Sequence, residues 1–283
     1  LQSIVAAFDL SPIARRVVQR ARLIAGEHDG HLSLVHVAED PDFPLPDDLA
    51  ERLYLYRHSR AEELLATMNA RGDCAVDVKV LRGAIAPELA KLTRKADLLV
   101  TGTSSVDTQR VGPRTTRLAR KVHSPLLAVR RQPRGPYRRV VAAVDLSDAS
   151  RAAVDLALNI SGNAEVIALA VLPANAEILL AESGIEQERL AAVRTRRMAD
   201  LEEATAKFAA EWGDRVTTAV EYGPPPDAIG EFARRAKADL VTVGSRGAAQ
   251  SPMVLLGSVA EAVMESVPCD VAVARVPGRF RRP

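Results

Sequence analysis

The chain has 283 residues, a net charge of +2, 47% apolar residues and only 4% aromatic residues. That length suits about two domains of ordinary size, and cores built from Ala, Val, Leu and Ile favour α/β packing. The near-neutral charge calls for neither a nucleic-acid nor a membrane partner, and no apolar run approaches the length of a membrane span.

The first residues read directly as a strand, Ile4-Val5-Ala6-Ala7-Phe8, without the basic and apolar regions of a signal peptide. Ser11-Pro12 follows as an expected N-cap and first-turn proline. Ile13, Val17, Ala21 and Ile24 then recur on one helical face. Further apolar runs at 32–37, 76–81, 97–101 and 126–130 complete five expected strands in the first half. The proline-rich region 40–48 reads as an irregular loop. In the second half the runs fall at 139–144, 165–171, 216–221, 239–243 and 270–276, with a long charged amphipathic helix over 185–212. Continuous Val/Leu/Ala runs fit parallel strands covered on both faces.

The two halves repeat. Ile4 to Ser11 (IVAAFDLS) matches Val140 to Ser147 (VVAAVDLS), and Ala96 to Gly102 matches Ala238 to Gly244. A unit of about 140 residues is a duplicated domain rather than a solenoid repeat. The join is expected in Gln132-Pro133-Arg134-Gly135-Pro136, giving domains at 1–131 and 138–283. Each is expected to be a doubly wound, Rossmann-like α/β domain with a five-stranded parallel sheet.

The chemistry concentrates after the strand Leu240-Val241-Thr242-Val243. Gly244-Ser245-Arg246-Gly247 follows it, and nine residues later come Gly257-Ser258 and a helix-like stretch. Strand, glycine loop and helix start make the order a phosphate site needs. Glycine removes the Cβ that would obstruct close approach, and free amides at Gly257, Ser258 and Val259 would receive phosphate oxygens. The bland alternative is a tight turn. Ser258 and Glu261 also form a capping-box signature, which is compatible with either reading. Arg246 would clamp a phosphate or stay solvated. Asp145 ends the first strand of its domain, where an open α/β sheet binds ligands; it would accept from an adenine amino group, or simply start a turn with Ser147.

In the first half Ser105, Thr115 and Thr116 stand where Gly247, Gly257 and Ser258 stand, and Arg117 follows them. Side chains there are expected to fill the phosphate space. Arg114, Arg117, Arg120 and Lys121 leave the face basic, to receive another anion or be a solvated helix face. Walker, dinucleotide-fingerprint and nucleophile-elbow motifs do not occur. All five histidines fall in the first half without ligand spacing, and His36, inside a strand, reads as a core residue. Cys74 and Cys269 show neither metal spacing nor a disulfide framework, so a reducing, cytoplasmic setting is expected.

Val-Ala-Ala-Val-Asp at 141–145, the strand at 238–244, the closing Val-Pro-Cys-Asp-Val-Ala-Val-Ala-Arg and the spacing G-x2-G-x9-G-[ST] together resemble the universal stress protein family in tandem form. The resemblance covers nearly the whole chain and implies a stress-response regulatory protein that binds ATP in its second domain, with the first domain's loop degenerate. It places Asp145 and the Val171 backbone on adenine and Val243 and Gly244 against the ribose or base. Gly247, Gly257, Ser258 and Val259 would then receive the phosphates, with Mg²⁺ bridging their oxygens. It also implies pairing through the last strand, a homodimer of the tandem chain and an unidentified protein partner. The competing readings are a slow ATPase or autokinase, for which no base is evident near the loop, and a nucleotide-independent scaffold.

Overall fold

The computed structural model describes residues 1–11, 13–39, 43–69, 76–103, 113–175, 177, 182–183, 185–247 and 256–276. Ser104, Ser105, Pro12, Cys74 and the spacer 248–255 lie outside them. The chain divides into two compact units, Leu1–Pro136 and Tyr137–Pro283.

The first unit runs β1 (Ser3–Ala7), α1 (Ala14–Glu27), β2 (His31–Ala38), α2 (Asp47–Asn69), β3 (Val76–Arg82), α3 (Ile85–Leu92), β4 (Leu98–Gly102), α4 (Pro113–Lys121) and β5 (Leu126–Val129). Its strand order is β3-β2-β1-β4-β5, every pair parallel. The second unit runs β6 (Arg139–Val144), α5 (Asp148–Ser161), β7 (Glu165–Leu172), α6 (Gln187–Ala209), a 3-10 segment (Ala210–Arg215), β8 (Val216–Tyr222), α7 (Pro225–Arg235), β9 (Leu240–Gly244), α8 (Ser258–Ser266) and β10 (Asp270–Ala274). Its order is β8-β7-β6-β9-β10, again all parallel. The ten expected strands and the doubly wound class are both present.

The apolar runs account for this directly. Ile4, Leu32, Leu98, Leu99, Leu126 and Leu127 are among the fully buried side chains of the first core, and Leu169 and Leu240 of the second. The repeated Ala-Asp pair also has a structural reason. Asp97 Oδ2 accepts from the Gln2 and Ser3 amides at 2.6 and 2.9 Å, and Asp239 Oδ2 from Arg138 and Arg139 at 2.9 and 3.2 Å. Each carboxylate pins the first strand of its unit to the fourth at the amino-terminal end of the sheet. That leaves the opposite end, where the order reverses between the first and fourth strands, for a ligand.

One expected boundary shifts. α1 begins at Ala14 with Ile13 as its N-cap, so Ser11 is not the cap; its Oγ accepts from the Ile13 amide at 3.3 Å, and the expectation for Pro12 lies outside the described residues.

Candidate functional site

In the second unit β6 delivers Asp145 to the carboxyl end of the sheet. The last β6–β7 rung is Val144↔Ala170, so Val171 and Leu172 overhang β6 and pair only with Glu221 and Tyr222 of β8. Asp145 and Val171 thus leave the ladder at one level. Asp145 also makes the turn with Ser147 that its sequence allows. Its Oδ1 accepts from the Ser147 amide at 3.3 Å, the Ser147 hydroxyl at 2.5 Å and the Ser150 hydroxyl at 2.6 Å. Its amide donates back to Ser150 Oγ at 2.8 Å. Leu146 takes φ +63°, an uncommon conformation for a side chain of its size, and lets the turn close this tightly. Ser147 caps α5 by accepting from the Ser150 amide. Ser150 is buried and clamps Asp145 at both ends, whereas Asp145 itself is exposed.

β9 supplies the loop. Val243 is buried between Ala143 and Val273. A Cβ on Gly244 would stand 2.8 Å from both Cβ and O of Ala149, so this glycine admits the first turn of α5 against the sheet. A Cβ on Gly247 would stand 3.0 Å from Asp145 Oδ2. The bare Cα therefore keeps the gap between the Asp145 carboxylate and the loop open. Ser245 is buried, and its amide donates to Ala274 O at 3.0 Å, tying the loop to the end of β10.

Helix α8 starts one residue earlier than a Ser258 cap requires. Gly257 is the N-cap, at φ −78° and ψ 154°, with no side-chain cap bond; Ser258 is the first helical residue. The capping box with Glu261 does not form, because Glu261 falls one position too deep and its amide donates to Gly257 O at 2.9 Å. The Gly257 amide, expected in the phosphate cradle, instead donates to Ser245 O at 2.8 Å. The amides of Ser258, Val259 and Ala260 precede the first intrahelical bond and meet no acceptor among the described residues. Ser258 and Val259 are exposed.

The site is also electropositive. Arg275 follows Ala274 and is buried; burial, together with the neighbouring charge of Arg246, pushes its guanidinium down to about 10. Sequence reading named Arg246 and missed Arg275, whose proximity follows only from the β9–β10 register. It likewise missed Ser150, although the S-x-x-S spacing of Ser147 and Ser150 was visible. Asp145, Val171 and the run Gly244 to Gly247 converge on the carboxyl ends of β6, β7 and β9, with α8 opening just beyond. Of the named residues, Val243 is the one wholly buried within the sheet.

The comparisons agree with this architecture. The model of the "Universal stress protein family" matches twice, at residues 1–130 and 136–275. A universal stress protein of Methanocaldococcus jannaschii is 34% identical over 143 residues, covering 50% of this chain and 84% of that protein. One of Mycobacterium tuberculosis is 30% identical over 213 residues, 70% of this chain but only 65% of that protein's length. Among solved structures, a universal stress protein of Archaeoglobus fulgidus superposes with a TM-score of 0.68 at 18% identity, over 96% of this chain and 95% of that one. A functionally unknown protein of Pseudomonas aeruginosa gives 0.68 at 21% identity, over 97% and 92%. Those two likenesses speak for the fold alone. With both halves matched by one family model and both folded alike, the chain belongs to the universal stress protein family, with two such domains in tandem.

Proposed function

We propose that the second unit binds ATP and that the chain is a nucleotide-responsive regulator within the stress response. The observation that carries this reading is the open amide set at the start of α8, facing a loop held clear by Gly247. Three unpaired donors on a helix N-terminus suit a polyphosphate, each favourable helix-end interaction contributing about 0.3–1 kcal/mol. Ser258, Val259 and Ala260 would hold phosphates, with Gly257 shaping the turn rather than donating. The Asp145 carboxylate, held at Oδ1 by Ser147 and Ser150, stands beside Gly247, where it would meet the ligand. The overhanging backbone of Val171 lies at the same level, suited to an adenine edge. Gly244 and Val243 shape the floor, and Arg246 and Arg275 add positive potential.

Among the described residues no three His, Cys, Asp or Glu side chains are placed to hold a metal. Mg²⁺ would therefore enter with the nucleotide, through phosphate oxygens. No described helix is long and apolar enough to cross a membrane. We place the chain in the cytoplasm, acting as a homodimer with a protein partner that reads nucleotide occupancy. Such a readout requires ATP to bind two conformations unequally.

Titration of Mg·ATP into wild type and Gly247→Val tests the site. Saturable binding in wild type and a large loss in the variant are expected. Equal affinities, or none in wild type, would contradict the reading. Turnover faster than about 1 per second, the low end for kinases, would make the chain an enzyme instead.

A further inference from the structure

The first unit has a cavity of its own, about 500 Å³, at the carboxyl ends of β1, β2 and β4. Its walls are mixed, with an apolar part that includes Ala7, Val35, Val37, Ile85, Leu89 and Leu118. Its polar groups are divided by element. The cations Arg114, Arg117 and Lys121 all come from α4, at a spacing that sets them on one helical face. None of the three side chains has a hydrogen-bond or ion-pair partner among the described residues. The acceptors come from the strand ends and the segments just beyond them: Asp9, His36 and Glu39.

Two of those acceptors are partly used. Asp9 Oδ1 takes the Ser11 amide at 3.0 Å and the Ser11 hydroxyl, and Glu39 Oε1 takes the Ile85 amide at 3.0 Å. His36 is 6% exposed, and its Nδ1 lies 3.1 Å from Phe8 O. A carbonyl only accepts, so Nδ1 carries the proton and Nε2 presents a lone pair. That Nε2 is buried and has no partner among the described residues. Burial also lowers the pKa of His36, which keeps the ring neutral and Nε2 an acceptor. An unpaired polar atom this deep is costly unless something occupies the cavity beside it.

The anion-binding device differs from that of the second unit. α4 begins at Pro113, so the amides of Arg117 and Leu118, which match Val259 and Ala260, lie inside the helical ladder. Thr115 is buried and donates its hydroxyl to Gly102 O at 3.0 Å. Guanidinium and ammonium groups replace backbone amides as donors, and guanidinium suits a compact, bidentate anion.

We propose that this cavity is a separate ligand site, for a small organic carboxylate or phosphate monoester. Its anionic head meets Arg114, Arg117 and Lys121, its apolar body fills the space below Leu118 and Leu89, and a hydroxyl or N–H at its far end donates to His36 Nε2. This site is independent of ATP binding by the second unit.

Two probes test it on the full chain: 4-hydroxybenzoate for the carboxylate and 4-hydroxyphenyl phosphate for the phosphate. Benzoate lacks the donor, 4-hydroxybenzyl alcohol lacks the charge, and inorganic phosphate lacks the body. Saturable binding of at least one probe is expected, with benzoate and the alcohol each weaker. The side chains of Arg114, Arg117 and Lys121 are exposed, so replacing all three by Gln spares the core and should weaken binding about tenfold or more. The His36 Nε2 ¹⁵N resonance should shift on binding in wild type. ATP titration of the triple variant should match wild type, which separates this site from the second unit's. No binding of either probe, wild-type affinity in the triple variant, an unmoved His36 resonance, or inorganic phosphate binding as tightly as the organic probes would each overturn the proposal.

Discussion

At the end of β9 the Gly257 amide ties the turn to Ser245 O, while in the first unit the Thr115 hydroxyl ties the start of α4 to Gly102 O. One closure uses a backbone amide and leaves the next three amides open at a helix start. The other uses a buried side chain, and the helix there starts earlier, at Pro113. The Asp at the end of each first strand differs in the same direction. Asp145 is held by Ser147 and Ser150, whereas Asp9 has Ser11 and, at the position matching Ser150, Ala14. Beside Asp9 stands His36, where the second unit has Ala170. A duplicated sheet thus carries two differently built crevices, one with backbone donors and one with side-chain charges. Duplication kept the scaffold while the groups that line the two crevices came to differ.

The largest expected effect is the loss of the Gly247 gap. Gly247→Val should weaken Mg·ATP binding by about 100-fold, because the added side chain meets the Asp145 carboxylate and crowds the phosphate path. Calorimetry on the two proteins reads it directly. Next comes the packing glycine. Gly244→Ala meets the Ala149 backbone and should cost about 1–3 kcal/mol of stability. Gly102→Ala should cost less, since it meets only the Ile13 and Val17 methyl groups at 2.9 and 3.2 Å. The single tryptophan, Trp212, lies in the second unit, so its fluorescence in a urea titration follows the Gly244 variant specifically.

Ser150→Ala removes both of its bonds to Asp145 and should weaken ATP binding by about 0.5–1.5 kcal/mol. The effect should be larger for ATP than for a triphosphate whose base lacks the amino group, since Asp145 is assigned to the base. Equal losses for both would detach Asp145 from adenine. The smallest effect is a pH dependence confined to the first unit. His36 has a lowered pKa because burial outweighs the Phe8 carbonyl and Asp9, which favour its charge, with Arg57 opposing it further. The folded state then binds fewer protons than the unfolded state as pH falls below about 6.5, so stability is full above that value and declines below it. His36→Gln should flatten the dependence of the first unit's melting on pH between about 5 and 7.

Much of the fold could be read from the sequence because its strands are buried on both faces and appear as unbroken Val, Leu and Ala runs. The repeat then fixed the number of domains. The glycine loop was legible for the same local reason. Helix starts were read less well. Ser258-x-x-Glu261 carries a capping-box pattern, yet Gly257 takes the cap, since the buried loop can use its amide towards Ser245. In the first unit Thr115 and Thr116 were matched to a loop, although Pro113 offered a first-turn signal two residues earlier. Arg275 and the orphaned Nε2 of His36 depend on strand register and on depth, which one-dimensional spacing does not encode.

The central claim is that the two crevices differ in what they bind, with one ATP site in each chain. Native mass spectrometry of the full chain with saturating Mg·ATP counts nucleotides per chain without assuming where they sit. One nucleotide per wild-type chain and none in Gly247→Val is the predicted result. Two per chain, none in wild type, or one that survives Gly247→Val would contradict it.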